Sequence, residues 1–313
     1  MATFDALASA NKRNSVLIVV VFVAFICVLG GVLGWAVLGD WRAAIPSIFI
    51  ALVVSTIMAI VGYYTGASMV LSMSGARPIA KEDDPQLYNI VEELAIASGL
   101  PMPKLYMIDT PAMNAFATGR DPQHAAVAVT AGLRQKMDRD ELQGVLAHEL
   151  SHVKDFDIRF MTLLTILAGV VVLLADIGMR SLFYGGGRRR GRDSGGSAIM
   201  IVVIILALVL AVLAPIFAQL IQLAASRQRE YLADAEAARL TRYPEGLARA
   251  LEELGRDTEP LPTANRATSP LFIVPPMMAN GRRPGGSGAS MWSSHPPLEE
   301  RIRRLRTIGS TQA

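Results

Sequence analysis

The sequence predicts a mainly α-helical membrane protein, with four hydrophobic helices and an α+β domain that contains a small antiparallel sheet. Three observations carry this prediction. The chain of 313 residues is 52% hydrophobic, which is more apolar than an ordinary soluble protein of this length. Four apolar runs with few or no charged residues are each long enough to cross a bilayer. Alternating apolar and turn-forming residues between the second and third runs are typical of short strands and helices.

Composition also limits the classes of function. The formal net charge of +3 suits an anionic membrane surface, so the lipid bilayer is one expected partner. Basic residues are not interleaved with aromatic residues, and no nucleic-acid partner is therefore expected. The single cysteine, Cys27, lies inside an apolar run, which excludes intrachain disulfide bonds and cysteine-based zinc sites.

The first two apolar runs are interpreted as transmembrane helices. The run at residues 16–38 is too long for a signal-peptide core and is not followed by a small-residue cleavage site, so it is read as a retained span. Residues 43–73 are long enough to span with some tilt. Lys12 and Arg13 precede the first run, and positive charges favour the cytoplasmic side. The segment that follows the second run is therefore expected in the cytoplasm.

A capped helix opens that segment. Asp83 or Asp84 is in position to cap a helix that has Pro85 as its first residue. Gly99, followed by Pro101, is expected to end it.

Three strands are predicted next, at residues 104–108, 114–118 and 125–130, and they form the small antiparallel sheet. An exposed edge strand here can hold an extended peptide through backbone hydrogen bonds. An ordinary sheet packed on the next helix would explain the same residues. His124 lies in the turn and is interpreted as a solvated turn residue.

The strongest chemical signal is His148-Glu149-Leu150-Ser151-His152, an H-E-x-x-H match. On a helix, the two histidines share one face, so both imidazoles can reach one zinc ion, and Glu149 can take a proton from metal-activated water. Asp138 with Glu141 three residues later is a capping-box spacing that favours the helix. The competing reading is a chance match on an amphipathic helix.

The third and fourth apolar runs, residues 158–179 and 198–225, follow this motif. The H-E-x-x-H helix is expected to run straight into the third run. The loop at residues 180–197 carries five arginines, and simple alternation of spans places them outside, against the positive-inside tendency. Either the two runs form a hairpin that does not fully cross, or the large domain overrides the charge bias. The side of this loop stays open.

A third metal ligand is expected after the fourth run. Glu230 and Asp234 are four residues apart and share a helical face. A hydrolytic zinc site needs a third protein ligand beside the two histidines, and Glu230 can supply it. Asp234 can hydrogen-bond the free ring nitrogen of a ligating histidine. A charged helix next to the membrane is the alternative reading. Residues 256–291, rich in Pro and Gly, are predicted to be a long loop that serves as a lid or a membrane-surface contact.

The chain is therefore divided into four parts. Residues 1–73 hold the N-terminal tail and two transmembrane helices, and residues 74–157 are the first cytoplasmic part with the motif helix. Residues 158–225 hold the third and fourth hydrophobic helices with the basic loop. Residues 226–313 are the second cytoplasmic part, with the third ligand.

In these features the chain resembles the HtpX-type membrane zinc metalloproteases, which are relatives of the eukaryotic CAAX prenyl proteases. The resemblance covers nearly the whole chain and implies a zincin-like α+β catalytic domain. It rests on the four hydrophobic segments, Asn114-Ala115-Phe116-Ala117-Thr118-Gly119, the H-E-x-x-H motif, the Glu230-x-x-x-Asp234 pair and Ser294-His295-Pro296-Pro297.

The resemblance implies a role for each matching residue. One zinc ion per chain would be held by His148, His152 and Glu230, with Glu149 as general base and acid. His295 would stabilise the oxyanion, together with Arg301. Asp234 and Arg301 would support the ligands from behind. The substrate-binding edge strand would contain Asn114, Ala115, Phe116 and Ala117.

The expected function is that of a multi-pass zinc endopeptidase of the bacterial cytoplasmic (inner) membrane, with its active site facing the cytoplasm. Its substrates would be misfolded membrane or cytoplasmic polypeptides, in protein quality control and stress response. The alternative is a non-proteolytic, zinc-stabilised membrane scaffold that binds unfolded segments. A purely structural metal site gives Glu149 no role, which favours the enzyme. A small transporter is a weaker option because the apolar runs contain few charges.

Overall fold

A computed structural model describes residues 4–38, 40, 42, 44–185, 227–264, 268–276 and 296–312. The chain divides into two compact units. The first unit contains Met1–Arg13, Thr65–Thr162 and Ile221–Ala313, and the second contains Asn14–Tyr64 and Leu163–Leu220.

Among the described residues, two helices are long and apolar enough to cross a membrane. They are α1 (Phe4–Leu38) and α2 (Ala44–Met73), with candidate spans at Ala8–Trp35 and Ala44–Met73. Large apolar side chains such as Phe49 are exposed along α2, as expected of a surface that faces lipid. These helices coincide with the first two predicted runs.

The other two predicted membrane helices are not confirmed. The third run, residues 158–179, falls within helix α6 (Asp157–Gly185), which is not among the two candidate spans in the described part of the chain. The fourth run, residues 198–225, lies outside the described residues, as do residues 186–197 of the basic loop.

Close packing of α1 and α2 in the second unit depends on glycine. A side chain added at Gly30 would lie 2.5 Å from Cβ of Ala51 and 3.1 Å from the carbonyl oxygen of Ser47. The absence of a Cβ atom at Gly30 therefore lets the two helices approach each other.

In the first unit, the predicted capped helix is present as α3 (Pro85–Ser98). The side chain of Asp84 accepts a hydrogen bond from the backbone N–H of Leu87, and Gly99 ends the helix at φ 70°. A proline at the first helical position and a left-handed glycine at the end are the expected boundary signals.

The sheet has four strands, and it is mixed, so the prediction of an antiparallel sheet is wrong. The strands are β1 (Ala76–Pro78), β2 (Lys104–Ile108), β3 (Ala115–Gly119) and β4 (Ala125–Thr130), in the order β1-β2-β4-β3. Strands β3 and β4 form the predicted hairpin, but β4 pairs parallel to β2. Every residue of β4 is buried, and a strand without an alternating polar face is suited to the interior of a sheet. Strand β4 of the hairpin therefore lies inside the sheet, and β3 lies at one of its two edges.

The remaining helices of the first unit bury one core together with the sheet. They are α4 (Ala131–Lys136), α5 (Arg139–Lys154), α7 (Arg227–Thr241), α8 (Pro244–Arg256) and α9 (Leu298–Gln312), with short 3-10 turns at Pro122–His124 and Ser269–Leu271. Helix α5, which carries the H-E-x-x-H motif, packs against α3, β3, α7 and α8. The core includes Leu87, Ile90, Leu133, Leu142, Val145, Leu146, Leu150, Leu251 and Leu305.

Two local features fix the N-terminal half of helix α5: a capping box at its start and a close contact with α8 at Gly144. Asp138 and Glu141 form the predicted capping box, in which each side chain accepts a hydrogen bond from the other residue's backbone N–H. A side chain added at Gly144 would lie 2.7 Å from the backbone nitrogen of Leu247, so α8 lies directly against α5 at this point.

The expectation that the motif helix runs straight into the third apolar run is wrong. Helix α5 ends at Lys154, and α6 begins at Asp157. Phe156 between them has φ 59°, in the left-handed region that aromatic residues seldom adopt. The helix therefore breaks immediately after the motif.

Candidate metal centre

Three side chains converge at the middle of the first unit. The Nε2 atoms of His148 and His152 face each other 3.2 Å apart. One carboxylate oxygen of Glu230 lies 3.7 Å from His148 Nε2, and the other lies 3.7 Å from His152 Nε2. One ligand atom from each residue can be chosen so that all three lie within 4.8 Å of one another. The two motif histidines and the distant glutamate are thus brought together as the sequence predicts.

The donor set fits zinc. Two nitrogens that each lie about 2.0–2.1 Å from one tetrahedral zinc ion are roughly 3.3 Å apart, and the observed spacing of the histidine nitrogens is 3.2 Å. Two imidazoles and a carboxylate are also the protein ligands of hydrolytic zinc sites, which keep a fourth position for water or substrate. His148, His152 and Glu230 are therefore the residues that would hold the ion.

His148 is supported by a buried carboxylate and a buried guanidinium group. Its Nδ1 lies 3.0 Å from Oδ1 of Asp234. Arg301 donates from Nη2 to the same oxygen at 2.7 Å and from Nε to Oδ2 at 2.9 Å, which is a two-point pair. Arg301 Nη1 also lies 3.4 Å from a carboxylate oxygen of Glu230. Asp234 and Arg301 thus lie behind the ligands, as the resemblance implies.

His152 has an equivalent support, from a residue that is not among the predicted site residues. Its Nδ1 lies 3.1 Å from Oδ2 of Asp157, the first residue of α6. The other carboxylate oxygen of Asp157 accepts a hydrogen bond from Nη1 of Arg229 at 2.7 Å. The sequence contains one signal of this support: Asp157 is an acid at the start of an apolar run, five residues after the second histidine.

The two histidines differ in their proton affinity. Burial, aided by the positive charge of Arg301, lowers the pKa of His148 to about 4. Burial also opposes protonation of His152, but the hydrogen bond to Asp157 and the charge of Glu230 outweigh it and raise the pKa of His152 to about 9. In each ring the carboxylate partner takes Nδ1, so Nε2 is the nitrogen that faces the cluster.

Glu149 is buried beside the cluster and has the properties of a general base. Burial, with a contribution from the charge of Glu230, raises the pKa of Glu149 to about 7. A hydrogen bond from the backbone of Ala117 acts in the opposite direction. A carboxyl group with a pKa near neutrality can both accept and release a proton at physiological pH.

A small cavity of about 40 Å³ lies next to these residues. Its wall includes Ala117, all the cluster residues and the apolar side chains of Ile158 and Met161, and the segment Pro270–Ile273 completes it. This volume accommodates a few water molecules and not a peptide.

The four residues predicted to bind substrate have different environments. Ala117 lines the cavity, whereas Phe116 is fully buried with its ring 5.1 Å from that of Phe272. The amide nitrogen of Asn114 donates to the carbonyl oxygen of Val274 at 2.9 Å. The carbonyl oxygen of Ala115 accepts a hydrogen bond from the backbone N–H of Ile273 at 3.1 Å.

The segment 268–276 therefore lies along the outer side of strand β3. It is the apolar part of the loop predicted at residues 256–291, and its residues Leu271–Val274 are buried. This segment contacts the edge strand and forms part of the cavity wall, and the lid or membrane-surface role of the loop stays a prediction.

The other two histidines, His124 and His295, lie outside the metal cluster in the sequence-based assignment. His124 is half exposed and its Nδ1 lies 2.6 Å from Asp121, which agrees with a solvated turn residue. His295, expected to stabilise an oxyanion, lies outside the described residues.

Comparison with known proteins identifies the relatives of the chain. Residues 81–309 match the model of peptidase family M48. A protease HtpX homolog from Dictyoglomus turgidum is 42% identical over 310 residues, which are 98% of this chain and 95% of that protein. A protease HtpX homolog from Tropheryma whipplei is 44% identical over 301 residues, 96% of this chain and 97% of that protein.

A solved structure shares the fold. The crystal structure of S. mikatae Ste24p superposes with a TM-score of 0.51 at 22% identity. The match covers 96% of this chain and 66% of the Ste24p chain.

Proposed function

The chain belongs to peptidase family M48, a metalloprotease family, and from that premise we propose that it is a membrane-embedded zinc endopeptidase of the H-E-x-x-H type. The observation that carries the proposal is the convergence of His148, His152 and Glu230 beside the buried Glu149. A metal site with only a structural role would not need a buried carboxyl group that makes no direct contribution to the ligand set.

One zinc ion per chain would be held by the three ligands, and when bound it supplies a Lewis acid that activates water and polarises the scissile carbonyl group. Glu149 lies next to the ligands and would accept the proton of the attacking water. It would then pass this proton to the nitrogen of the leaving amine. Burial raises the pKa of Glu149, which favours holding the proton between the two steps.

Strand β3 is the proposed site for the substrate backbone. Alternate residues of an antiparallel strand direct their backbone groups toward and away from the partner strand. The carbonyl of Ala115 faces away from β4, since it bonds Ile273, and the backbone of Ala117 therefore faces the same side. A peptide added at Ala117 would pass the cluster and Glu149. The segment Pro270–Ile273 would have to shift to admit it.

Recognition through backbone groups is largely indifferent to substrate side chains, which suits misfolded membrane or cytoplasmic polypeptides. We infer a role in protein quality control at the bacterial inner membrane, with the active site in the cytoplasm. Lys12 and Arg13, near the N-terminal end of the first candidate span, support this orientation. His295 is proposed to stabilise the oxyanion.

The experiment compares the detergent-purified wild type with Glu149→Gln, and it measures zinc content and cleavage of an unfolded test protein on the same samples. We expect unchanged zinc content and a loss of turnover of at least about a hundredfold, because the proton acceptor is removed while the ligands stay. Asp140→Asn is the matched control, since Asp140 is exposed on the first turn of the same helix and should be silent.

Two results would contradict the proposal. Full cleavage by Glu149→Gln would remove the assigned base. Stoichiometric zinc with no cleavage by the wild type would favour the scaffold instead.

A further inference from the structure

The break between α5 and α6 changes the direction of one side chain. In a continuous α-helix a residue five positions after His152 would lie about 140° round the helix axis from it. Asp157 would then point away from the metal ligands. With the break, Oδ2 of Asp157 lies 3.1 Å from Nδ1 of His152, and both residues are largely buried.

The break has a conformational cost. Phe156 occupies the left-handed region at φ 59°, which is unfavourable for a residue with a side chain. Two cations stabilise its ring: the Lys12 ammonium group lies 4.0 Å and the Arg159 guanidinium 4.9 Å from the ring centre. A strained residue that is held by its surroundings next to a functional site points to a functional use of the conformation.

The start of the chain holds the break and the aspartate together. Nη1 of Arg229 donates to Oδ1 of Asp157 at 2.7 Å and to Oδ1 of Asn11 at 3.1 Å. The amide nitrogen of Asn11 donates to the backbone carbonyl of Asp155 at 2.8 Å. A closed chain of hydrogen bonds thus connects α1, the helix break and the second histidine.

We propose that Asp157 is a positioning residue for the metal ligand His152, and that Arg229 and Asn11 hold its carboxylate in place. The carboxylate fixes the proton of His152 on Nδ1 and directs Nε2 to the metal. Residues at the start of α1 therefore form part of the metal centre, although Asn11 is 141 positions from His152 in the sequence. The inference rests on the proposed zinc site, but it does not require that the site cleaves peptides.

The test measures Zn²⁺ affinity by chelator competition on the detergent-purified full chain. Asp157→Asn keeps the shape of the side chain but removes its charge. We expect its Zn²⁺ affinity to fall by about 10- to 100-fold, as is usual when the carboxylate partner of a ligating histidine is lost. Asn11→Ala and Arg229→Lys should weaken binding in the same direction but less.

A coupling measurement separates positioning from independent effects. If Asn11 acts through Asp157, the double variant Asn11→Ala/Asp157→Asn should bind Zn²⁺ about as weakly as Asp157→Asn alone. Cleavage at saturating Zn²⁺ provides a second readout. It should show a lower kcat for Asp157→Asn and an unchanged KM, because the substrate strand is not altered.

Asp84→Asn is the matched control for loss of an acid that pairs with an arginine at the start of a helix. Asp84 also starts a helix and pairs with an arginine, Arg134, at 2.6 Å, but it does not contact the cluster. This variant should lower the melting temperature without changing Zn²⁺ affinity. If Asp157→Asn does not fold, the milder Asn11→Ala carries the affinity test.

Wild-type Zn²⁺ affinity in Asp157→Asn, or in Asn11→Ala where that variant carries the test, would overturn the inference. So would strictly additive losses in the double variant. Tight Zn²⁺ binding by a wild type that cleaves nothing would overturn the proposed function alone. Absence of Zn²⁺ binding by the wild type would overturn both.

Discussion

The two histidine ligands are supported by different parts of the molecule. Behind His148, Asp234 and Arg301 come from α7 and α9, and Arg301 is fully buried. Behind His152, the partner Asp157 belongs to the start of α6 and is held by Arg229. We refer to Asp234 with Arg301 as the core support, and to Asp157 with Arg229 and Asn11 as the junction support.

The difference between the supports lies in what else each one stabilises. In the core support, Arg301 neutralises two buried carboxylates and also donates to the carbonyl of Ile273 at 3.2 Å. It therefore connects the metal site to the C-terminal helix and to the segment beside β3. The junction support lies at a helix break, and the side chain of His152 is 17% exposed compared with 1% for His148. We infer that the core support stabilises the fold and the junction support mainly orients a ligand.

The largest effect is expected from Arg301→Met. It leaves Asp234 and Glu230 buried without their cation, which should cost about 3–5 kcal/mol of unfolding free energy. The measurement is thermal unfolding in detergent together with bound zinc, and both should fall. Arg304→Met is the control, because Arg304 lies three residues later on the same helix, is half exposed and stacks on Tyr231. A fully stable Arg301→Met variant would remove the distinction between the supports.

A direct comparison of Asp234→Asn with Asp157→Asn sharpens the distinction. Both variants should lose Zn²⁺ affinity by about 10- to 100-fold, because each removes the carboxylate partner of a ligating histidine. Asp234→Asn should also lower the melting temperature more, since the fully buried Arg301 loses its two-point ion pair and keeps the more distant carboxylate of Glu230. Chelator competition and thermal unfolding measure the two quantities. Equal losses of melting temperature would mean that the two supports stabilise the fold alike.

The core support was largely predictable from the sequence, and the junction support was not. Glu230 and Asp234 are four residues apart on one helix, so their shared face follows from local geometry. Asp157 reaches His152 only because the helix breaks at Phe156, and no glycine or proline between residues 145 and 158 signals a break. Asn11, which is linked to Asp157 through Arg229, lies 146 positions before Asp157 in the sequence.

The sheet gives the same lesson. The strands at 104–108 and 125–130 agree with the prediction because short apolar runs next to prolines and turn residues are local signals. Their parallel pairing arises because β4 of the hairpin lies beside β2. The residue pattern within one strand does not specify which distant strand it pairs with.

Substitutions at Phe156 test the helix break itself. In a continuous helix, alanine is more favourable than glycine by about 1 kcal/mol. At φ 59° the order should reverse, because glycine adopts the left-handed region without strain. Phe156→Gly should therefore have the higher melting temperature of the two, while both lose the ring contact with Lys12. The usual order, with alanine more stable, would indicate an unbroken helix and remove the basis of the junction support.

The smallest effect concerns Asp155, whose backbone carbonyl receives the hydrogen bond from Asn11. Its side-chain Oδ1 is buried with no hydrogen-bond partner among the described residues, and burial, with the nearby charge of Asp157, raises the pKa of Asp155 to about 7. A carboxyl group with a raised pKa binds its proton more tightly in the folded state than in the unfolded state. It therefore contributes stability at low pH that is lost as the pH rises toward 7.

Asp155→Asn cannot ionise and should remove this part of the pH dependence. Between pH 5 and pH 8 the melting temperature of the wild type should fall by a few degrees more than that of the variant. Thermal unfolding of both proteins at the two pH values measures the difference. Parallel pH profiles would mean that Asp155 is already ionised in the folded protein, and the carboxylate would then need a cation near the break. Lys154 bonds Glu236 at 2.8 Å, and Lys12 and Arg159 lie over the ring of Phe156, so burial outweighs the nearby cations and favours the neutral acid beside the junction support.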